Sequence, residues 1–274
     1  MNEAMNHSGG YDDSPLLSEF YDFTPPYTER GDVEFYVEYS RSANGKILEL
    51  GCGTGRILIP TVEAGCEIVG LDISKYMLAR CRSKLEGKPK DVQGRVKLVH
   101  ANMVDFDLKE TFALITAPFR SFQHLMSVRD QLACLWSVNR HLAIGGRLVL
   151  DIFQVDLKKI TDPGRGTESE DFPGTQLPDG RSFRRTHRIV GVHQTEQYQD
   201  VEMIFYVTYP DGHVERLLQK FPFRHFFKYE VEHLLTGCGF EVVDLFGDFD
   251  KSALTDGSPQ MIFVAEKREN TIEG

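Results

Sequence analysis

From Lys46 onward, short apolar runs alternate with amphipathic stretches, the pattern of a mostly parallel sheet covered by helices on both faces. Ile47–Leu50 reads as the first strand. It ends in the turn Gly51-Cys52-Gly53-Thr54-Gly55, after which residues 56–64 read as a helix and 67–71 as the next strand. Ser74 suits an N-cap, and Met77, Leu78, Cys81 and Leu85 then share one helical face up to Gly87. Further strands are expected at Val96–His100, 112–116 and 147–153. Ser127 with Asp130 resembles a capping box for a helix carrying Leu132, Leu135, Trp136, Val138 and Leu142, which Gly145-Gly146 ends.

Residues 156–180 break this rhythm. Rich in Asp, Pro, Gly and Thr and without periodicity, they read as a mobile loop or lid. Three strand-like runs follow at Ser182–His193, 196–209 and 213–223, with Pro210-Asp211-Gly212 as a tight turn, and they predict an inserted antiparallel sheet. The core pattern resumes with Val231, Leu234, Leu235 and Cys238 on one helical face and Gly239 beyond its end. Strands at Phe240–Phe246 and 260–266 close the domain. The expected organisation is a cap (1–45), a core (46–155), a loop and β insertion serving as lid or dimer contact (156–224), completion of the core (225–267) and a frayed tail (268–274).

Composition narrows the functional classes. With 274 residues, 41% hydrophobic and 26% charged, the chain can bury an enzyme-sized core. A net charge of -10 argues against nucleic acid as a partner, since phosphate binding needs a basic face. Arg181, Arg184, Arg185 and Arg188 are the one local basic cluster, and a solvated strand edge accounts for them. The five cysteines form no C-x-x-C pair and no metal-ligand spacing with histidine, so they read as reduced residues, and no metal is expected. No apolar run is long enough to cross a bilayer and no signal segment opens the chain. These features predict a cytoplasmic protein with no membrane partner.

Candidate chemistry concentrates in Glu49-Leu50-Gly51-Cys52-Gly53-Thr54-Gly55 at one strand end and Asp72 at the next. Glycines let the backbone turn sharply against a ligand. A carboxylate about twenty residues on can accept hydrogen bonds from two ribose hydroxyls, which implies a nucleoside-containing cofactor. A dinucleotide fingerprint starting at Gly51 needs glycine or alanine at position 56, where Arg56 stands. A nicotinamide-dependent oxidoreductase is therefore the disfavoured alternative.

The E-x-G-x-G-x-G form resembles the first motif of the class I S-adenosylmethionine-dependent methyltransferases, and the resemblance extends in element order over about residues 21–267. It implies a seven-stranded, mostly parallel α/β sheet with helices on both faces, an antiparallel β insertion and an N-terminal cap. It also implies S-adenosylmethionine as cofactor, leaving S-adenosylhomocysteine as product. In that family the Asp72 position binds ribose, while Ile73 and Met77 pack near the adenine. His100-Ala101-Asn102-Met103 looks like the segment that usually reads G-D-M and holds the adenine edge. Asn102 replaces the usual aspartate, so a neutral hydrogen bond is expected there.

After the fourth strand the chain reads Ala117-Pro118-Phe119-Arg120-Ser121-Phe122-Gln123-His124-Leu125. It lacks the N-P-P-Y or D-P-P-Y signature of base and amide methylases, which favours a small-molecule acceptor. His124 is the candidate base or substrate-orienting residue, Ala117 belongs with the cofactor residues, and Phe119 and Phe122 are candidate pocket walls. The segment from Ser18 to Tyr27 resembles the opening of amino-sugar N-methyltransferases. It makes Tyr21 and Tyr27 candidate contacts to the methionine end, and Tyr21 a candidate catalytic residue. Arg224, His225 and Tyr229 lie beyond the last insertion strand, within reach of the pocket. The expected activity is methyl transfer to N or O of a metabolite, with a noncatalytic S-adenosylmethionine-binding protein as the remaining alternative and a homodimer through the insertion.

Overall fold

The computed structural model describes residues 9–12 and 14–268; the expected tail beyond Arg268 lies outside the described residues. Before the first strand the chain forms α1 (Pro15–Tyr21), α2 (Pro25–Thr28) and α3 (Val33–Ser42). Ser14 accepts from Leu16 N to cap α1. Prolines open α1 and α2, where their missing N–H loses no helical bond. The core then runs β1 (Ile47–Leu50), α4 (Leu58–Glu63), β2 (Ile68–Asp72), α5 (Lys75–Glu86), α6 (Lys90–Gln93), β3 (Val96–His100), β4 (Phe112–Ala117), α7 (Val128–His141) and β5 (Leu142–Phe153). An insertion follows with α8 (Leu157–Thr161), β6 (Ser169–Gln176), β7 (Ser182–His193), β8 (Tyr198–Thr208) and β9 (Val214–Arg224). The chain closes with α9 (Lys228–Gly237), β10 (Phe240–Phe246) and β11 (Gln260–Lys267).

The core sheet has the order β10-β11-β5-β4-β1-β2-β3, with β11 antiparallel to both of its neighbours and the strands from β5 to β3 parallel. β1 is buried at every residue because it lies centrally with both faces covered, which is why it reads as an apolar run interrupted only by Glu49. One face packs Leu48, Leu50, Ile115 and Leu150 against Leu135, Val138 and Leu235; the other packs Ile47, Ile68 and Val149 against Leu58, Leu78 and Phe35. Local caps set the helix starts. Ser74 Oγ accepts from Met77 N, and Ser127 Oγ accepts from Asp130 N while donating to Asp130 Oδ2 at 2.7 Å.

A second sheet, β6-β7-β8-β9, is antiparallel throughout. Its β6 corrects the expectation of a mobile loop at 156–180, which folds as α8, a short 3-10 turn and an edge strand. An edge strand tolerates Pro173 and Gly174, and two register shifts against β7 erase the period-two alternation that would have marked it. Two boundaries also move. α4 starts at Leu58 because the glycine turn continues through Ile57, and β5 begins at Leu142, before Gly145-Gly146. Trp136 of α7 is 43% exposed.

The cap is fastened to both sheets. Leu17 and Phe20 of α1 join Phe172, Phe183, Phe205 and Val207 of the insertion in a third apolar cluster, with Phe20 stacked on Phe183 at 4.5 Å. Arg181 reaches Glu19 across the same seam at 2.9 Å. On the core side Asp22 accepts from Thr54 Oγ1, Arg80 and Lys84. Cap and insertion together form a roof over the carboxyl ends of the parallel strands.

Candidate active site

Strand order reverses between β1 and β4, and ligands of open α/β sheets bind at such a reversal, beyond the carboxyl ends of the strands. A cleft lies there. It gathers Glu49, Gly51, Cys52, Gly53, Asp72, Ile73, Met77, Asn102, Met103, Tyr21 and His124, together with Tyr11, Arg56, Ile57 and Ser121. Gly51 has φ +69°, and a Cβ on it would stand 2.9 Å from the Ser121 Cβ, so only glycine lets the turn pass. Gly55, expected at the cofactor, instead packs against α5, where a Cβ would meet the Cys81 Sγ at 2.7 Å. Ala117 is buried in the core, and Tyr27 faces a neighbouring cavity.

Asp72 closes the cleft floor. Its Oδ2 accepts from Gly53 N at 2.7 Å and its Oδ1 from Ser74 N at 2.8 Å. Burial pushes its carboxyl up to about 6, against the pull of those two N–H donors. Glu49 is buried as well. Desolvation raises its carboxyl well above the usual carboxylate range, and its Oε2 has no hydrogen-bond partner among the described residues. Asn102 Oδ1 accepts from Val104 N at 3.0 Å, so it braces its own turn at the cleft wall.

The segment after β4 is strained. Phe119 and Arg120 both adopt left-handed backbone, at φ +57° and +63°, a conformation that costs side-chain-bearing residues about 1–2 kcal/mol each. Phe119 N donates to Asp151 Oδ1 at 2.8 Å, which holds the turn. Asp151 also accepts from Tyr36 Oη at 2.7 Å and Arg30 Nη2 at 2.6 Å. Arg30 and Arg56 share Asp32, with Arg56 Nη2 at 2.8 Å from Asp32 Oδ2, and Arg56 Nε donates to Tyr21 Oη at 3.3 Å. Burial pushes the Tyr21 hydroxyl up to about 12, so at neutral pH it is a donor and not a base.

A larger cavity of about 850 Å³ opens beside the cleft, between the cap, the end of β5 and the inner face of the second sheet. Tyr11, Phe119 and His124 line both spaces. His124 ends a 3-10 turn and packs edge-on to Phe221 and Phe223 of β9, at 5.5 and 5.7 Å between centroids. His225 also lines the cavity, and desolvation with Arg224 nearby lowers its imidazole, which keeps the ring neutral. Phe122 is core, packed on Phe226; Arg224 pairs with Glu230; Tyr229 points to solvent. Sequence reasoning assigned no site role to Tyr11, Arg56 or Ser121. Arg56 had a signal only as a non-glycine, because its partner Asp32 sits in another element.

Residues 47–146, from β1 into β5, match a family model described as a methyltransferase domain. The chain carries a class I S-adenosylmethionine-dependent methyltransferase domain. The methyltransferase is 28% identical over 243 residues to the glycine/sarcosine N-methyltransferase of Aphanothece halophytica, covering 85% of this chain and 81% of that one. Its fold is similar to that of the CcbJ methyltransferase of Streptomyces caelestis, with a TM-score of 0.72 at 20% identity over 98% of this chain and 100% of that one. A sugar N-methyltransferase from Streptoalloteichus sp is similar at a TM-score of 0.66 and 22% identity, over 86% and 85% of the two chains. S-adenosylmethionine is the cofactor of this enzyme class, and the nicotinamide alternative falls with that assignment. No helix among the described residues is long and apolar enough to cross a membrane.

Proposed function

We propose that this methyltransferase moves the methyl group of S-adenosylmethionine to a nitrogen or oxygen atom of a small molecule bound in the larger cavity. The observation that carries this reading is the pair of spaces meeting at Tyr11, Phe119 and His124, one floored by the glycine turn and Asp72, the other roofed by the insertion. The residues fit the cofactor. Asp72 would accept from its ribose hydroxyls, Ile73 and Met77 would flank its base with Asn102, and Gly53, Tyr21 and the Glu49 oxygen unpartnered among the described residues would hold its amino-acid end. Tyr11 also lines the cleft, and its carbonyl accepts from Ser74 Oγ at 3.3 Å.

When bound, the cofactor supplies an electrophilic methyl on a sulfonium. The chain's task is to hold the acceptor atom in line, exclude water and take its proton. His124 lines both spaces, which supports it as the residue that would receive that proton. Nitrogen acceptors are supported by the two relatives whose names state one, both N-methyltransferases. The test is transfer of isotopically labelled methyl from S-adenosylmethionine to a panel of small amines and alcohols. His124→Ala should bind the cofactor normally and turn over about a hundredfold more slowly. Full turnover in that variant would remove the proton-acceptor role, and no labelled product from any acceptor would sink the small-molecule reading.

Asp72 adds a pH dependence. Only the ionised carboxylate can accept from two hydroxyls while bound to Gly53 and Ser74, and burial places its titration near 6. Protonation therefore competes with cofactor binding. Affinity for S-adenosylmethionine should be level above about pH 7 and fall by up to about tenfold per unit below about pH 6. Calorimetric titration down to about pH 5 reads this directly, and a flat profile would separate Asp72 ionisation from binding.

A further inference from the structure

Among the described residues, one guanidinium of the larger cavity has no ion pair or hydrogen bond to a carboxylate. Among the cationic side chains facing the cavity, Arg30 is bonded to Asp151 and Asp32, and Arg185 is bonded to Asp171 at 3.0 and 2.7 Å. Arg120 has no bonded carboxylate among the described residues. Its one hydrogen bond is from Nη2 to Gln260 Oε1 at 3.2 Å, its Nε has none among the described residues, and its charge stacks over the Phe153 ring at 3.2 Å. The carboxylates that favour its charge, Asp151 and Asp32, are themselves paired with Arg30 and Arg56. Burial and the neighbouring Arg30 charge both oppose the charged form of Arg120, and the Asp151 and Asp32 charges offset them only in part, so an added anion would stabilise the guanidinium.

Two further features make this a built site. Arg120 is set by the left-handed Phe119-Arg120 backbone, a conformation retained against its cost and one that concentrates at functional positions. The residue is also one step from Phe119 and four from His124, both at the junction of the two spaces, so a group bound to Arg120 lies beside the reaction centre.

We propose that the acceptor carries an anionic oxygen group, a carboxylate or a phosphate, that seats on the Arg120 guanidinium while the nucleophile faces the cleft. A guanidinium presents paired N–H donors that match either anion, and the aromatic faces beside it exclude the water that would otherwise screen the pair. This rests on the reading of the larger cavity as the acceptor chamber. The acceptor class becomes an amino acid or amino-sugar phosphate rather than a neutral amine or alcohol.

The experiment is calorimetric titration of the protein saturated with S-adenosylhomocysteine, at fixed ionic strength, with inorganic pyrophosphate and separately with acetate. Wild type should bind at least one of them, and Arg120→Gln should bind it at least roughly tenfold more weakly, with Arg120→Lys between the two. S-adenosylhomocysteine affinity and the melting temperature should hold in Arg120→Gln, since the change removes an uncompensated buried charge. Preference for pyrophosphate assigns a phosphate acceptor, and preference for acetate a carboxylate. Equal anion affinity in wild type and Arg120→Gln, or no binding of either anion to wild type, overturns the proposal. Failure of S-adenosylhomocysteine to bind wild type would instead overturn the reading of the cleft, and this proposal with it.

Discussion

Asp72→Ala is expected to weaken S-adenosylmethionine binding by at least roughly tenfold, the worth of one or two charge-assisted hydrogen bonds at about 1.5–3 kcal/mol each. The carboxylate bridges Gly53 N and Ser74 N, so its removal also frees the glycine turn from the start of α5. The fold should survive the change. Because burial raises the folded-state pKa to about 6, the neutral form favours folding below the unfolded value near 4, and that contribution is lost as pH rises through about 6. At neutral pH the ionised group is thus a net cost of up to about 3 kcal/mol to the ligand-free protein. Loss of affinity with a melting temperature no lower than that of ligand-free wild type is the expected pair of results. Wild-type affinity in the folded variant would remove Asp72 from the cofactor site.

What was legible in the sequence was local. The β1-turn-β2 unit, the Ser74 and Ser127 caps and the α9 stop at Gly239 each depend on residues within a few positions of one another, and each stands where the pattern placed it. The cleft was legible for the same reason, since the glycine turn and Asp72 come from adjacent strands. What escaped was set by long-range pairing. β6 is a strand because β7 offers it an edge, and its own residues carry no alternation. Gly55 and Cys81 belong to different elements, so the close packing that requires glycine at position 55 could not be read from the motif. Arg120 carried no signal of its own, because the carboxylates that act on its charge, Asp151 and Asp32, come from distant segments and are paired there with Arg30 and Arg56.

The second large effect is on stability. Asp151→Ala is expected to cost about 3–5 kcal/mol, because it strands a buried charge instead of deleting a surface pair. Asp151 is fully buried and serves Arg30, Tyr36 and Phe119 N, and the Arg30 side chain is only 8% exposed. Desolvation alone would push the Asp151 carboxyl up, yet the Arg30 and Arg120 charges and the Tyr36 hydroxyl outweigh it, so it titrates below the ordinary range. Its contribution is therefore present above the unfolded-state value near 4 and is lost as pH falls through the lower folded value. At neutral pH the variant should melt on the order of 10 °C lower than wild type, with the gap closing in strong acid. Asp151→Asn should recover part of the loss, since an amide oxygen can still accept from Phe119 N and Tyr36 while Arg30 stays unpaired. Asp151→Ala also releases the strained Phe119-Arg120 turn, so it should weaken whatever binds at the junction of the two spaces. An alanine variant that melts within about 2 °C of wild type would show that Arg30 finds water in place of Asp151, and that the network is not what fastens the cap to the core.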